Sequence, residues 1–202
     1  MNLDEMMFGA LLDATAAKTP VPGGGAVTGA VGALAAALGG MVVSYSVGKK
    51  SLAAHQGELE DAARTLAHGR AMMLELAAED AAAYALVNEL MRLDAGDPRR
   101  GREMSAAAEA ATRIPLALIA ACADLLRLMD RLPEITNPHL RSDLAIAAVL
   151  TEATARASRW NVAINMGLWR EVGLAGDPLA EAEEMLFTCS ELVGRIERAC
   201  NG

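Results

Sequence analysis

The chain has 202 residues, of which 53% are hydrophobic and only 3% aromatic. Its 18 basic and 26 acidic residues give a formal net charge of −8, so a broad nucleic-acid-binding surface is not expected. Cys122, Cys189 and Cys200 lack C-x-x-C spacing, which predicts a reduced, cytoplasmic protein without a disulfide framework or a metal site. Abundant alanine, without period-two runs of β-branched residues, predicts an all-α fold.

The first predicted helix begins at a capping box, where Glu5 follows Asn2 by three residues, and ends near Ala17. The start of the chain is acidic where a signal peptide is basic, so export is not expected. The next stretch reads T-P-V-P-G-G-G over residues 19–25. Its prolines remove amide donors, and its glycines permit conformations that a Cβ forbids. This pattern predicts a tight turn with uncovered amides, suited to an anion or another ligand.

The segment from Ala26 to Val47 carries no charged side chain and is predicted to be the central helix. Small residues recur at steps of three and four, so one face should pack closely against another backbone. The segment is also long enough to span a membrane, but Ala and Gly dominate it, which favours a core helix over a membrane span. The small residues are Gly25, Gly29, Gly32, Ala33, Ala36, Gly39 and Gly40.

Three Asx-Pro pairs divide the rest of the chain into helices. In each pair the first residue caps a helix and the proline takes its first position. A long helix over 52–91, with a possible break at Gly57 or Gly69, precedes the first pair. The prediction is one domain over 1–202, a bundle of about six helices of unequal length around the Gly/Ala-rich helix. The pairs are Asp97-Pro98, Asn137-Pro138 and Asp177-Pro178.

Asp80 and Tyr84 form the first candidate for chemistry, because they lie one turn apart on an alanine-rich helix. A carboxylate partly buried among alanines has a raised pKa, which lets it exchange protons near neutral pH. The alternative is a solvated acidic face with Tyr84 half-buried beside it.

A second candidate is a polar but almost uncharged stripe on the helix that follows Asn137. Aligned hydroxyls and amides indicate a partly buried surface, whose hydrogen bonds are satisfied by another helix, by a second subunit or by a ligand. These alternatives remain open on the sequence. The stripe consists of Asp143, Thr151, Thr154, Ser158, Asn161 and Asn165.

Four motifs, in order, resemble the cyclodeaminase/cyclohydrolase family of folate one-carbon metabolism, which includes the C-terminal half of formiminotransferase-cyclodeaminase. The P-x-P-G-G-G turn at 20–25 comes first, and Gly48-Lys49-Lys50 follows its helix. Residues 80–84 are similar to the family's D-A-x-A-[FY]. Residues 137–143 are similar to its G-N-x-x-x-x-S-D, with Thr136 in place of the glycine, and residues 161–165 match N-V-x-I-N.

The resemblance implies an all-α homodimer that binds a tetrahydrofolate derivative as its substrate in a groove near the subunit interface, without metal, membrane or nucleic acid. The implied reaction closes 5-formimidoyl-tetrahydrofolate to 5,10-methenyl-tetrahydrofolate and releases ammonia, with Asp80 as the catalytic carboxylate. The implied substrate-binding residues are Pro22, Gly23, Gly24, Gly25, Lys49, Lys50, Tyr84, Ser142, Asp143, Asn161 and Asn165.

Two alternatives to this reaction stay open on the sequence. Hydrolysis of methenyl-tetrahydrofolate passes through a similar tetrahedral carbon, so a cyclohydrolase would use the same groups. The family's short L-P-K loop is replaced here by M-R-L-D-A-G-D over 91–97, which leaves room for a catalytically silent folate-binding or structural dimer. Lys49 and Lys50 suit either the glutamate tail of a folate or the dipole at a helix end.

Overall fold

The structure is a computed structural model, and it describes residues 7–19 and 21–201. Within these residues it contains six α-helices and no strand, which confirms the predicted all-α bundle of about six unequal helices. Two short 3₁₀ turns, Lys50–His55 and Pro138–Leu140, precede the third and fifth helices. The capping box at Asn2 lies outside the described residues. The helices are α1 Phe8–Ala16, α2 Gly24–Ser44, α3 Gln56–Met91, α4 Pro98–Met129, α5 Arg141–Glu171 and α6 Pro178–Asn201.

The Asx-Pro pairs start helices where the sequence predicts them, with one shift. The Asp97 carboxylate accepts a hydrogen bond from the amide of Arg99 at 2.7 Å and caps α4, and Asp177 caps α6 in the same way. The Asn137 side chain caps only the 3₁₀ turn. Leu140, at φ −111° and ψ 16°, leaves the helical region, so α5 begins at Arg141.

The helical stretch predicted over 52–91 is interrupted near Gly57, where a 3₁₀ turn ends at His55 and α3 begins at Gln56, whereas α3 continues through Gly69. A Cβ added at Gly69 would lie 2.8 Å from Cδ2 of Leu125 on α4. The glycine therefore serves close packing between α3 and α4 and does not end the helix.

The inner side of α2 is buried, as its small residues predict. A Cβ added at Gly29 would collide with Cβ of Ala77 and stand 2.7 Å from the carbonyl oxygen of Met73, so the backbone of α3 lies almost against α2. At Gly39 an added Cβ would lie 3.1 Å from Cε of Met129 on α4. Glycine's cost inside a helix, roughly 1 kcal/mol each, is offset by this close packing.

By length and composition, α2 and a stretch of α4 are apolar enough to cross a membrane. More than half of each apolar window is buried inside the fold, 56% for α2 and 61% for α4. Both helices therefore have the packing of core helices.

The second and fifth helices run antiparallel, and this fixes the position of the site. The start of α2 lies beside Asn161, whereas the Ser46 hydroxyl, just after α2, accepts a hydrogen bond from the Asn137 amide at 2.9 Å. The helix pair thus has two ends. We call residues 21–26 with 161–165 the Gly24 end, and residues 46–50 with 137–143 the Lys49 end.

Candidate active site

A cavity of about 320 Å³ opens at the Gly24 end, between the start of α2 and one face each of α3, α4 and α5. This volume is at the lower end of the range for small-molecule sites. Most of the lining is apolar, with a few polar groups that converge on one space. The lining residues are Val21, Gly23, Gly24, Gly25, Ala26, Asp80, Ala81, Tyr84, Val87, Ala111, Asn161, Ile164 and Asn165.

The glycine turn lets the Asp80 carboxylate lie directly against the backbone of α2. A Cβ added at Gly25 would overlap Oδ2 of Asp80 and stand 2.7 Å from its Cγ. None of the three glycines has a positive φ; Gly23 has φ −124°. The turn thus uses glycine for close approach, which corrects the expectation that it needs a conformation forbidden to other residues.

Backbone amides at the start of α2 are available to a ligand. Gly24, Gly25 and Ala26 occupy the first turn of the helix, where amides have no acceptor within the helix. The positive end of the helix dipole points into the same space. The cavity therefore offers donors to an anionic or carbonyl-bearing ligand on the side next to Asp80.

Burial raises the pKa of Asp80 from its ordinary 3.8 to about 6. Among the groups that the structure describes, no charged neighbour contributes to this shift. The alanine-rich surroundings predict this effect, since water is replaced by apolar atoms around the charged form. Near neutral pH both protonation states of Asp80 are accessible, as general acid–base chemistry requires.

Pro115 positions Asn165 through the backbone of α4. A proline has no amide hydrogen, so the carbonyl of Ala111, four residues earlier, loses its usual donor within the helix. The Asn165 Nδ2 donates to this carbonyl at 2.7 Å and to the carbonyl of Asn161 at 2.9 Å. With both amide hydrogens used, Oδ1 is the group that Asn165 can offer to a ligand.

Tyr84 and Ile164 form the exposed rim of the cavity. Tyr84 lies one turn after Asp80 on α3, and Ile164 is 80% exposed on α5. The Asn161 Oδ1 lies beside Gly24, 3.7 Å from where a Cβ of that residue would be. A flat ring entering between these walls would meet apolar surface on its faces and amide groups at its edges.

The polar stripe of α5 does not form one surface. The hydroxyls of Thr151, Thr154 and Ser158 are buried and donate to carbonyls one turn earlier in their own helix, at 2.8–2.9 Å. Within the described residues these three hydroxyls donate inside their own helix, so the predicted hydrogen bonding to another helix is wrong for them. Of the stripe, only Asn161 and Asn165 reach the cavity.

The cavity gathers only part of the predicted binding set. Lys49, Lys50, Ser142 and Asp143 lie at the Lys49 end. Asp143 is 18 residues before Asn161 on the same helix, which corresponds to about 27 Å at 1.5 Å per residue. Pro22 is buried in the turn and does not line the cavity. Within one chain, these residues do not meet Asp80.

Six lining residues were not singled out from the sequence. All are apolar, so none carries a chemical signal of its own. Helical spacing from Asp80 and Tyr84 could have found those on α3, and Ile164 stands inside the N-V-x-I-N motif. They are Val21, Ala26, Ala81, Val87, Ala111 and Ile164. In residues 7–19 and 21–201, no group of three or more His, Cys, Asp or Glu is placed to hold a metal.

Fold and cavity together define an all-α protein with a partly buried carboxylate of raised pKa beside the start of a Gly/Ala-rich helix. A family model described as formiminotransferase-cyclodeaminase matches residues 7–184. The chain therefore belongs to this family of folate one-carbon enzymes.

Three relatives illustrate the range of the family. A methenyltetrahydrofolate cyclohydrolase from Methylorubrum extorquens is 28% identical over 189 residues, which cover 92% of this chain and 91% of the relative. A formimidoyltransferase-cyclodeaminase from Gallus gallus is 27% identical over 79% of this chain, which spans 30% of that longer protein. The crystal structure of formiminotetrahydrofolate cyclodeaminase from Thermotoga maritima superposes with a TM-score of 0.85 at 27% identity, covering 98% of both chains.

Proposed function

We propose that the cavity binds a tetrahydrofolate with a formimidoyl group on N5 and closes it to the 5,10-methenyl form with release of ammonia. The observation that carries the proposal is the Asp80 carboxylate, held against Gly25 inside the cavity with a pKa of about 6. The family membership and the likeness to the Thermotoga maritima structure support a folate substrate.

The reaction needs one group that takes a proton and then returns it. The lone pair of N10 attacks the protonated formimidoyl carbon, and the C=N π electrons move to the imino nitrogen, which becomes an amine. Asp80 then accepts the proton from N10 and delivers it to that amine. The C–N bond breaks with its electron pair on nitrogen, ammonia leaves, and the N5–C–N10 bridge takes the positive charge. A carboxylate with a pKa near the working pH suits both transfers.

The remaining lining groups position the substrate. Asn161 and the Oδ1 of Asn165 would hydrogen-bond the edge of the pterin, and Tyr84 would lie along its face. The free amides at Gly24 and Gly25 would face a carbonyl or the developing charge next to Asp80. Holding N10 in line with the formimidoyl carbon is itself a large part of the acceleration.

A second candidate is hydrolysis of the methenyl form, favoured by the Methylorubrum extorquens relative, which matches this chain over nearly its whole length. Here Asp80 would take a proton from water as its oxygen adds to the methenyl carbon. It would then give that proton to N5 as the C–N5 bond breaks, and the hydroxyl would release its own proton to solvent as its C=O bond forms, which leaves the formyl group on N10. The same carboxylate would therefore act in both the ring closure and the hydrolysis, since each reaction passes through a tetrahedral carbon between N5 and N10.

Methenyl absorbance separates the two reactions. The purified chain is given 5-formimidoyl-tetrahydrofolate in one assay and 5,10-methenyl-tetrahydrofolate in another. A cyclodeaminase raises the absorbance in the first, and a cyclohydrolase speeds its loss in the second. If neither rate exceeds that of an Asp80→Asn sample, the enzyme proposal is wrong. A melting temperature that still rises with folate concentration would then indicate a silent folate-binding protein.

A further inference from the structure

The cavity around Asp80 holds a negative charge and no positive one. Asp80 is the only acid among the lining residues, and none of them is a lysine, an arginine or a histidine. The other titratable lining side chain is the phenol of Tyr84, which brings no positive charge. Within the described residues, no hydrogen bond and no charged group contributes to the pKa of Asp80. In this part of the chain the carboxylate therefore has no counter-ion.

The charged side chains on the helices around the cavity are bound elsewhere or exposed. On α4, Arg113 donates to the Glu181 carboxylate of α6 at 3.1 Å. On α5, Arg159 donates to the Glu183 carboxylate of α6 at 2.7 Å. The second helix carries no charged side chain at all. The exposed charged residues on α1, on the segment that follows it and on the nearby turns of α3 and α4 are Asp13, Lys18, Glu75, Glu79 and Glu109.

The start of α2 offsets only part of the charge on Asp80. A helix dipole places the equivalent of roughly half an elementary charge at the N-terminus. The amides of Gly24 and Gly25 are uncharged donors, whereas the ionised carboxylate carries a full negative charge. The cavity therefore stays negative near neutral pH. A partly buried charge without a partner is costly, and a cationic ligand would relieve that cost.

Both folates of the proposed reactions are cations at the reacting carbon. The formimidoyl group is an amidine and hence a strong base, and its protonated form spreads the charge over N5, the carbon and the imino nitrogen. The methenyl bridge spreads the charge over N5, the carbon and N10. In the corresponding formyl folates an oxygen replaces a nitrogen on this carbon, and the group is uncharged. The 5-formyl and 5-formimidoyl forms thus have nearly the same shape and differ in charge.

We infer that Asp80 also determines specificity, as the counter-ion that selects folates with a cationic N–C–N group over uncharged folates of the same shape. The inference rests on the proposed function for its folate ligand. Gly25 lets the carboxylate lie at the wall of the cavity, and no lining side chain competes with the ligand for it. The N–H groups of a formimidoyl cation would donate charge-assisted hydrogen bonds to this carboxylate.

The size of the preference follows from the ionisation of Asp80. Burial holds the pKa of this carboxyl at about 6, above its ordinary 3.8. A cation that returned the pKa to its ordinary value would bind the ionised carboxylate roughly a hundredfold more tightly than the protonated acid, because each pKa unit is tenfold in affinity. We therefore expect a cationic folate to bind about tenfold to a hundredfold more tightly than its uncharged counterpart at pH 8.

The preference is tested with two ligands that differ in one group and cannot react. They are the 5-formimidoyl and 5-formyl forms of 10-deaza-tetrahydrofolate, in which a CH2 group replaces N10, so that no ring can close. Isothermal titration of the wild type at pH 8 should show the expected preference for the formimidoyl form. Asp80→Asn should bind the two ligands with similar affinity. The matched control, Glu79→Gln, removes an exposed carboxylate outside the cavity and should keep the preference.

The preference should also decline as the pH falls. At pH 5 most of the free Asp80 is protonated, so the cation must displace that proton in order to bind. Its Kd should rise by about tenfold between pH 8 and pH 5, whereas the Kd of the uncharged ligand should change little. Near pH 6, cation binding should release a proton, which titrations in two buffers of different ionisation enthalpy measure. These measurements need only the wild type, so they decide the matter even where Asp80→Asn folds poorly.

Equal affinity of the wild type for the two ligands at pH 8 would overturn the inference, and so would a preference that persists in Asp80→Asn. A preference for the formyl form that grows below pH 6 would also overturn it, because the protonated acid would then act as a hydrogen-bond donor. If neither ligand binds, the inference fails, and the proposed function is judged by the methenyl absorbance assay. A wild type that closes the formimidoyl folate but binds the two ligands equally keeps the proposed function and loses only the inference.

Discussion

The Gly24 end and the Lys49 end of the α2–α5 pair both carry family motifs, yet only the first gathers them into a cavity. At the Gly24 end, the missing Cβ of Gly25 lets the Asp80 carboxylate lie against α2. The missing amide hydrogen of Pro115 leaves the Ala111 carbonyl free to accept a hydrogen bond from Asn165. At the Lys49 end, Lys49 and Lys50 are exposed and do not line that cavity. A motif therefore forms part of a site only where tertiary packing brings another element against it.

Within α2, glycines of the same sequence pattern also differ in role. At Gly25 an added Cβ meets the carboxylate of Asp80, the proposed proton carrier. At Gly29 it meets the backbone of α3, and at Gly40 it meets nothing within 4 Å. One glycine thus serves the site, one serves the fold, and one is replaceable.

The largest expected effect is at Asp80. Asp80→Asn should lower kcat by about a hundredfold or more, because it removes the group that accepts and returns the proton. The control is Glu79→Gln, the neighbouring but exposed carboxylate, which should keep the wild-type rate. Equal losses in the two variants would mean that net charge, and not the cavity carboxylate, matters.

Gly25→Ala should show how much the position of the Asp80 carboxylate matters, because it moves this group without removing it. Its Cβ overlaps the place of Asp80 Oδ2, so the carboxylate must rotate away while the helix remains. A displacement of about 1 Å can cost up to a hundredfold, so we expect kcat/KM to fall by roughly tenfold to a hundredfold with little change in melting temperature. Gly40→Ala, in the same helix, should leave activity intact. Retained activity in Gly25→Ala would contradict the proposed contact.

Asp80 should also destabilise the native protein as the pH rises above about 4. Its folded-state pKa of about 6 exceeds the ordinary 3.8, so the folded state holds this proton to higher pH than the unfolded state does. Stability is therefore lost as pH rises from about 4 to about 6 and beyond, to a limit of roughly 3 kcal/mol.

Asp80→Asn should remove this loss of stability at higher pH, because asparagine does not ionise. Denaturant unfolding should show the variant more stable than the wild type at pH 8, with the difference vanishing near pH 3. A difference that does not change with pH would show that the carboxylate is not buried in the way that the cavity requires.

The smallest effect is expected at Pro115. Pro115→Ala restores an amide hydrogen that can bond the Ala111 carbonyl, in competition with Asn165 Nδ2. KM should rise several-fold while α4 becomes more stable, since proline inside a helix costs about 3 kcal/mol. A double-mutant cycle with Asn165→Ala should show coupling. Additive effects on KM would mean that the two residues act separately.

Interactions between residues close in sequence predict where most helices begin. Features that depend on contacts between helices are not visible in the sequence. Asp97-Pro98 and Asp177-Pro178 start helices because capping depends only on neighbouring residues. The continuity of α3 through Gly69 could not be foreseen, since it depends on Leu125 of another helix.

At the site, Asp80 and the turn glycines were recognisable from their surroundings in sequence. The bond between Asn165 and Ala111 was not, because it joins residues 54 positions apart through a missing donor. Thr151 and Thr154 were misinterpreted for the same kind of reason: the spacing of hydroxyls does not reveal that each bonds back to its own helix.

If Asp80 works as a proton acceptor with a pKa set by its burial, kcat/KM should depend on pH through the ionisation of that carboxylate. The measurement uses whichever folate the wild type converts. The proposal predicts a rise with pH through one ionisation near 6, followed by a plateau, and no such ionisation in Asp80→Asn. A wild-type profile that is flat across pH 5–8, or that keeps the same ionisation in Asp80→Asn, would contradict it.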